Sequence, residues 1–199
     1  MQHACLSHRP ASSRGRRMRT ALAGIAFALS VAAAAPASAG EWPEKTVTVI
    51  VPYAAGGNTD IMARLAADWL SSRLGNHFIV ENRVGAGATI GAGYVAKAAP
   101  DGATFLFGAA PQLLVAPLVQ KVSYDARKDF APAGTPRPIL ERLAKETALA
   151  TKDPKIVQRL TELGIEPGGL TLEDFVRDIE ESRPAYAEAV QAAGIRRPE

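Results

Sequence analysis

The chain's chemical promise lies in its main chain more than its side chains, and it is concentrated in one loop. After the run Thr46 to Val51 comes Tyr53-Ala54-Ala55-Gly56-Gly57-Asn58-Thr59-Asp60. Ala54, Ala55, Gly56 and Gly57 carry almost no side-chain bulk, so a ligand can approach the backbone and the chain can take positive φ. Asn58, Thr59 and Asp60 are helix N-cap types placed before the apolar-periodic series Ile61, Leu65 and Trp69, with Leu74 beyond. A small-residue loop at a helix N-terminus offers unpaired N–H groups and the positive end of the helix dipole, which suits an anion. The loop lacks the Lys and the spacing of a P-loop, so a small carboxylate fits better than a nucleotide phosphate. Strand-to-helix turns of this composition also occur with no ligand at all. Asp60 has two roles open to it: fixing the loop as a helix-start acid, or contacting a ligand amine or ligand-bound water.

Two further loops use the same device. Gly85-Ala86-Gly87-Ala88-Thr89-Ile90 leads into a second apolar series, and its glycines fall at G-x-G-x-x-x-G. That misses the dinucleotide fingerprint by one residue, so no nucleotide cofactor is expected. Ala109-Ala110-Pro111-Gln112 is the third loop. Catalysis has no support, because Ser71, Ser72 and Ser123 have no histidine near them in the sequence, and Asp60, Asp68 and Glu81 read as caps and surface groups. Beyond residue 39 there is no cysteine and His77 is the single histidine, which excludes disulfides and thiolate or histidine metal clusters.

Three strands must position these loops. Thr46 to Val51 is rich in β-branched residues, as a strand covered on both faces requires, and Pro52 ends its ladder. A helix runs to the stop at Gly75-Asn76; His77 to Asn82 is the second strand and Thr104 to Gly108 the third. Three β–loop–α units in succession predict an α/β fold, a parallel sheet between layers of helices, with all three loops at the carboxyl edge of the strands. Two apolar stripes at helical spacing follow, Leu140, Leu143, Ala144 and Thr147, then Leu172, Phe175, Val176 and Ile179, and both are expected to pack on the sheet.

Residues 1–39 are of another kind. Five arginines from Arg9 to Arg19 precede the apolar run Ala21 to Ala35 and the A-x-A signal Ala37-Ser38-Ala39, which reads as a secretory signal peptide cut after Ala39. The net charge of +3 less those five arginines leaves about −2 on the remaining 160 of 199 residues. With Arg73, Arg83 and Lys97 scattered, no nucleic-acid surface is expected.

Four blocks in order, Ile50 to Asp60, Val80 to Ala92, Ala98 to Gly108 and Tyr124 to Pro132, resemble the N-terminal lobe of the Bug-type periplasmic substrate-binding proteins of tripartite tricarboxylate transporters. The resemblance implies two α/β lobes closing on a small organic acid, delivered to a membrane permease, with no cofactor and no metal. Its ligand residues would be Tyr53, Ala54, Gly56, Gly57, Asn58, Thr59 and Asp60 in the first loop, Gly87, Ala88, Thr89 and Ile90 in the second, and Ala110 and Gln112 in the third. The tail is similar to the family's C-terminal helices, but the stretch between is missing: Phe130-Ala131-Pro132 runs straight into Ala133-Gly134-Thr135-Pro136. The expected organisation is therefore a signal peptide over 1–39, the N-terminal part of one lobe over 40–132 and its C-terminal helices over 133–199, the second lobe being absent. Loss of that wall implies weakened binding in the periplasm, or a one-lobe module acting with a partner or as a dimer through an exposed sheet edge.

Overall fold

The computed structural model describes residues 42–130, 135–169 and 171–195, all within one unit spanning Gly40–Glu199. The expected signal peptide over 1–39 and the expected junction at 131–134 lie outside the described residues.

The strand β1, Val47–Val51, is the middle of a three-stranded parallel sheet, between β2, Phe78–Asn82, and β3, Thr104–Leu106. Val47 pairs with Phe78 and Val51 with Asn82 on one side, and Thr48 with Thr104 and Ile50 with Leu106 on the other. As its composition requires, β1 is covered on both faces, with Val47, Ile50 and Val51 wholly buried. The third strand stops at Leu106 instead of Gly108. Phe107 still donates to the Ile50 carbonyl at 2.9 Å, but β1 ends at Val51, and Pro52 has no N–H with which to continue the ladder.

The helix α1 spans Asn58–Leu74 and ends at Gly75 in the left-handed conformation, φ 69°, as the sequence indicates. Its N-cap is Gly57 in extended conformation, without a side-chain cap; none of Asn58, Thr59 or Asp60 takes that role. The buried face is Ala63, Ala67 and Leu70 rather than Ile61, Leu65 and Trp69. Alanines let the helix axis approach the sheet, while the indole of Trp69 sits at the flank where its Nε1 donates to the Glu146 carbonyl at 3.0 Å. A single 3₁₀ turn, Ala86–Ala88, leads into α2, Thr89–Val95. A π-type turn, Pro111–Val115, leads into α3, Ala116–Val119.

Three helices complete the chain: α4, Arg137–Ala150; α5, Pro154–Glu162; and α6, Leu172–Ala192. Asp153 caps α5 by accepting from Lys155 and Ile156 N–H, and Thr171 caps α6 by accepting from Asp174 N–H. α4 is held on α1 by Glu146, buried on α4, whose carboxylate accepts from Arg73 Nε at 2.9 Å. α6 buries none of its residues, so its apolar stripe covers the sheet only loosely.

The core gathers Val47, Val49, Ala67, Leu70 and Phe78, with Trp42 packed against it. The Trp42 ring meets Phe78 and Phe105 edge-on, at centroid distances of 6.0 and 6.1 Å, and so spans β1 between the two outer strands. Its Nε1 donates to the Gly102 carbonyl at 2.9 Å, and its own carbonyl accepts from Arg142 at 2.7 Å. Trp42→Ala is therefore expected to destabilise the fold by about 3 kcal/mol, read as a lower urea midpoint with the slope unchanged.

Candidate functional site

The first loop is held from within by Asp60. The residue is 2% exposed, and its carboxylate has three hydrogen-bond donors, Gly56 N–H at 2.9 Å, Arg64 Nε at 3.0 Å and Asn82 Nδ2 at 2.9 Å, with Arg64 Nη2 in ion-pair contact at 3.0 Å. Asp60 and Arg64 stand one turn apart on α1, the spacing at which side chains meet. The Asn82 amide also donates to the Tyr53 carbonyl at 3.0 Å, and its oxygen accepts from Arg64 at 3.1 Å. The end of β2 thus clamps the loop that leaves β1. Gly56 is turned to φ 83° where its N–H reaches Asp60.

This network settles which N–H groups are left without an acceptor. Gly56 N–H is taken by Asp60 and Gly57 N–H turns to the Ala54 carbonyl at 3.4 Å. The first helical hydrogen bond is Ile61 N–H to the Gly57 carbonyl, so the N–H groups of Asn58, Thr59 and Asp60 have no acceptor among the described residues. Asn58 is exposed and Thr59 half-buried. Asp60 takes the loop-fixing role of a helix-start acid and is not a surface group: its carboxylate sits under the loop, held by three hydrogen bonds and the Arg64 ion pair.

The second loop is backbone-strained. Gly85, Ala86, Gly87 and Ala88 all have positive φ, at 130°, 47°, 64° and 73°, and for the two alanines that region is disfavoured. Thr89 does not cap α2, since its Oγ1 donates back to the Ala86 carbonyl at 2.8 Å, the same carbonyl that accepts from Gln120 Nε2 at 3.1 Å. Ile90 is 56% exposed beside this loop. The loop is brought to the first one by Gly91, where an added Cβ would stand 2.8 Å from the Arg83 carbonyl oxygen and 2.9 Å from Pro52 Cβ.

The third loop joins through Gln112. This residue is wholly buried; its Oε1 accepts from Tyr53 OH at 2.7 Å and its carbonyl accepts from Tyr124 OH. Burial raises both phenols, Tyr124 to about 12, so both stay donors through the neutral range. Gln112 is therefore a connector between loops, and Ala110 is half-buried beside it. The three loops meet at the carboxyl edge of the sheet, as the parallel topology requires. Sequence reasoning missed Arg64, Asn82 and Tyr124; only Arg64, four residues after Asp60, carried a readable signal. Among the described residues no cluster of His, Cys, Asp and Glu could hold a metal ion.

The family model described as tripartite tricarboxylate transporter family receptor matches residues 62–131. Those residues are similar to that family. A UPF0065 protein of Bordetella bronchiseptica is 45% identical over 112 residues, which are 56% of this chain and 32% of that protein. A second UPF0065 protein, from Bordetella pertussis, is 33% identical over 154 residues, 76% of this chain and 46% of the relative. The solved structure of the periplasmic binding protein BugD superposes with a TM-score of 0.72 at 19% identity, covering 79% of this chain and 100% of that one. The α/β sheet with flanking helices is thus the fold of one lobe of a periplasmic binding protein. The chain spans a third to under a half of the length of these two curated relatives.

Asp60 supplies a test of the clamp. The Arg64 hydrogen bond, followed by the Gly56 N–H, lowers its carboxyl to about 2. A carboxyl depressed on folding contributes stability that is complete above its unfolded pKa, about 4, and is lost as pH falls through about 2. Asp60→Asn is expected to cost about 1–3 kcal/mol near pH 7 and to flatten the fall of stability between those two pH values, measured by urea unfolding across the acid range. Gly91→Ala is expected to cost about 2 kcal/mol by overpacking against Pro52, seen as a lower melting temperature.

Proposed function

We propose that this chain is the first-lobe portion of a periplasmic solute-binding protein of a tripartite tricarboxylate transporter, and that it offers one wall of a site for a small organic carboxylate. The observation that carries this is the run of unpaired N–H groups at the start of α1, on exposed Asn58, half-buried Thr59 and buried Asp60, fixed by the Asp60 clamp. A carboxylate matches such a row through charge-assisted hydrogen bonds, and the helix dipole adds to them. The second loop, with Gly87, Ala88 and Thr89 and the exposed apolar Ile90, would form the flank of the same wall, and Ala110 the far end. The buried carboxylate of Asp60 favours a positioning role over contact with a ligand amine. No nucleophile paired with a base stands at this edge among the described residues, which favours binding over catalysis.

The similarity of residues 62–131 to the receptor family supports the same reading, as does the signal-like leader, which on this proposal directs the chain to the periplasm for delivery of ligand to a permease. The short span relative to the relatives supports loss of the second lobe at 131–134. Affinity in a two-lobe binder rests on enclosure, which removes water from the hydrogen bonds to the ligand. On an open wall those bonds compete with solvent. Calorimetry on the chain from residue 40 with citrate, malate, adipate, aspartate and glutamate is expected to give binding weaker than millimolar or none. Micromolar affinity for any of these acids would show that one wall suffices.

A second reading, an interaction module that works through a partner or a second copy, is favoured by the open edge of β3. Nothing among the described residues pairs with it.

A further inference from the structure

Two adjoining cavities separate the sheet from the C-terminal helices. The first, about 660 Å³, lies along β3, and the second, about 570 Å³, continues beneath the sheet between α1 and α4. Phe105, Leu106, Phe107, Leu140, Leu172 and Phe175 line both. Both are open to solvent, and their largely apolar lining marks a face that no described element covers. The helix above is equally incomplete: α6 buries no residue, and Phe175, on its apolar stripe, is 48% exposed.

The wall formed by β3 has a definite chemistry. In the parallel ladder Thr48 N–H donates to the Ala103 carbonyl and Phe107 N–H to the Ile50 carbonyl, both toward β1. By alternation Thr104 and Leu106, which stand opposite Thr48 and Ile50, turn their N–H and carbonyl groups the other way, into the larger cavity. These groups have no partner among the described residues. An apolar ligand such as a fatty acid would fill the volume and leave them unpaired; an extended peptide would satisfy them and place alternate side chains on Leu140 and Phe175.

We infer that this groove takes an extended apolar strand from a separate polypeptide, added to the free edge of β3. The region matching the receptor family ends at residue 131, and Phe130 and Thr135, on either side of 131–134, both line the groove. A segment joined to the chain there would enter at the groove itself, and a strand supplied in trans would occupy the same place. The inference rests on the interaction-module reading and is independent of carboxylate binding.

The probe is a fluorescein-labelled, end-capped peptide with the sequence of Thr46–Val51 and a lysine tail, since that sequence is the one β3 already pairs with on its inner edge. Anisotropy with the chain from residue 40 is expected to show saturable binding that is lost when alternate peptide amides are N-methylated. Thr104→Pro removes one outward N–H at the first residue of a strand, where proline is tolerated, and is expected to weaken binding about tenfold. Phe175→Asp, at a half-exposed position, is expected to abolish it with the melting temperature kept. Equal binding of the methylated peptide, or displacement by laurate with no effect of Thr104→Pro, would overturn strand addition. Sedimentation separates the remaining failures: a dimer dispersed by Thr104→Pro, with no peptide bound, makes a second copy the occupant and overturns this inference while keeping the module reading. A monomer that binds no peptide overturns both.

Discussion

The geometry of the candidate site depends on one buried carboxylate. Asp60 lies under its loop with three hydrogen-bond donors around it, and no single element supplies them: Gly56 belongs to the loop, Arg64 to α1 and Asn82 to β2. A buried charge left without partners costs several kcal/mol, so the arrangement tolerates one loop conformation and penalises others. This also leaves the main chain as the loop's free polar surface. The acid that might have met a ligand cation is already neutralised by Arg64, and the positive end of α1 is left free for an anion.

The same pattern of ties runs through the rest of the edge. Tyr53 is held at its carbonyl by Asn82 and at its hydroxyl by Gln112, and Gln112 is held in turn by Tyr124. Four loop or strand ends are thereby linked through neutral hydrogen bonds and one ion pair. Positive φ at Ala86 and Ala88 adds strain to the second loop, which the Gln120 and Thr89 bonds to the Ala86 carbonyl offset.

What could be read from the sequence divides along the range of the interactions. The strands, the parallel order, the Gly75 stop and the placing of three loops at one edge follow from residue patterns a few positions long, such as the β-branched run at β1. The cap of α1 and its buried face did not follow from such patterns. Gly57 takes the cap because Asp60 is drawn inward to Arg64 and Asn82, and Ala63 and Ala67 face the sheet because close approach outweighs the larger apolar area of Ile61 and Leu65. Asn82 carried no local signal, since its importance arises only when β2 lies beside β1. The end of β3 at Leu106 likewise reflects where its neighbour ends, and Phe107 alone would have favoured a longer strand.

The two sides of the sheet differ in the same way. On the β2 side, Trp42, Phe78, α1 and α4 interlock, and Glu146 ties the helices through Arg73 and Trp69. On the β3 side, the strand has three residues, its outer backbone groups are unpaired among the described residues, and α6 stands off across a cavity. Side-chain ties that cross between elements fix the β2 side and the three loops, because every partner in them is present among the described residues. The β3 side has no such ties: it depends on a helix that buries none of its residues, so the same sheet is rigidly held along one edge and open along the other.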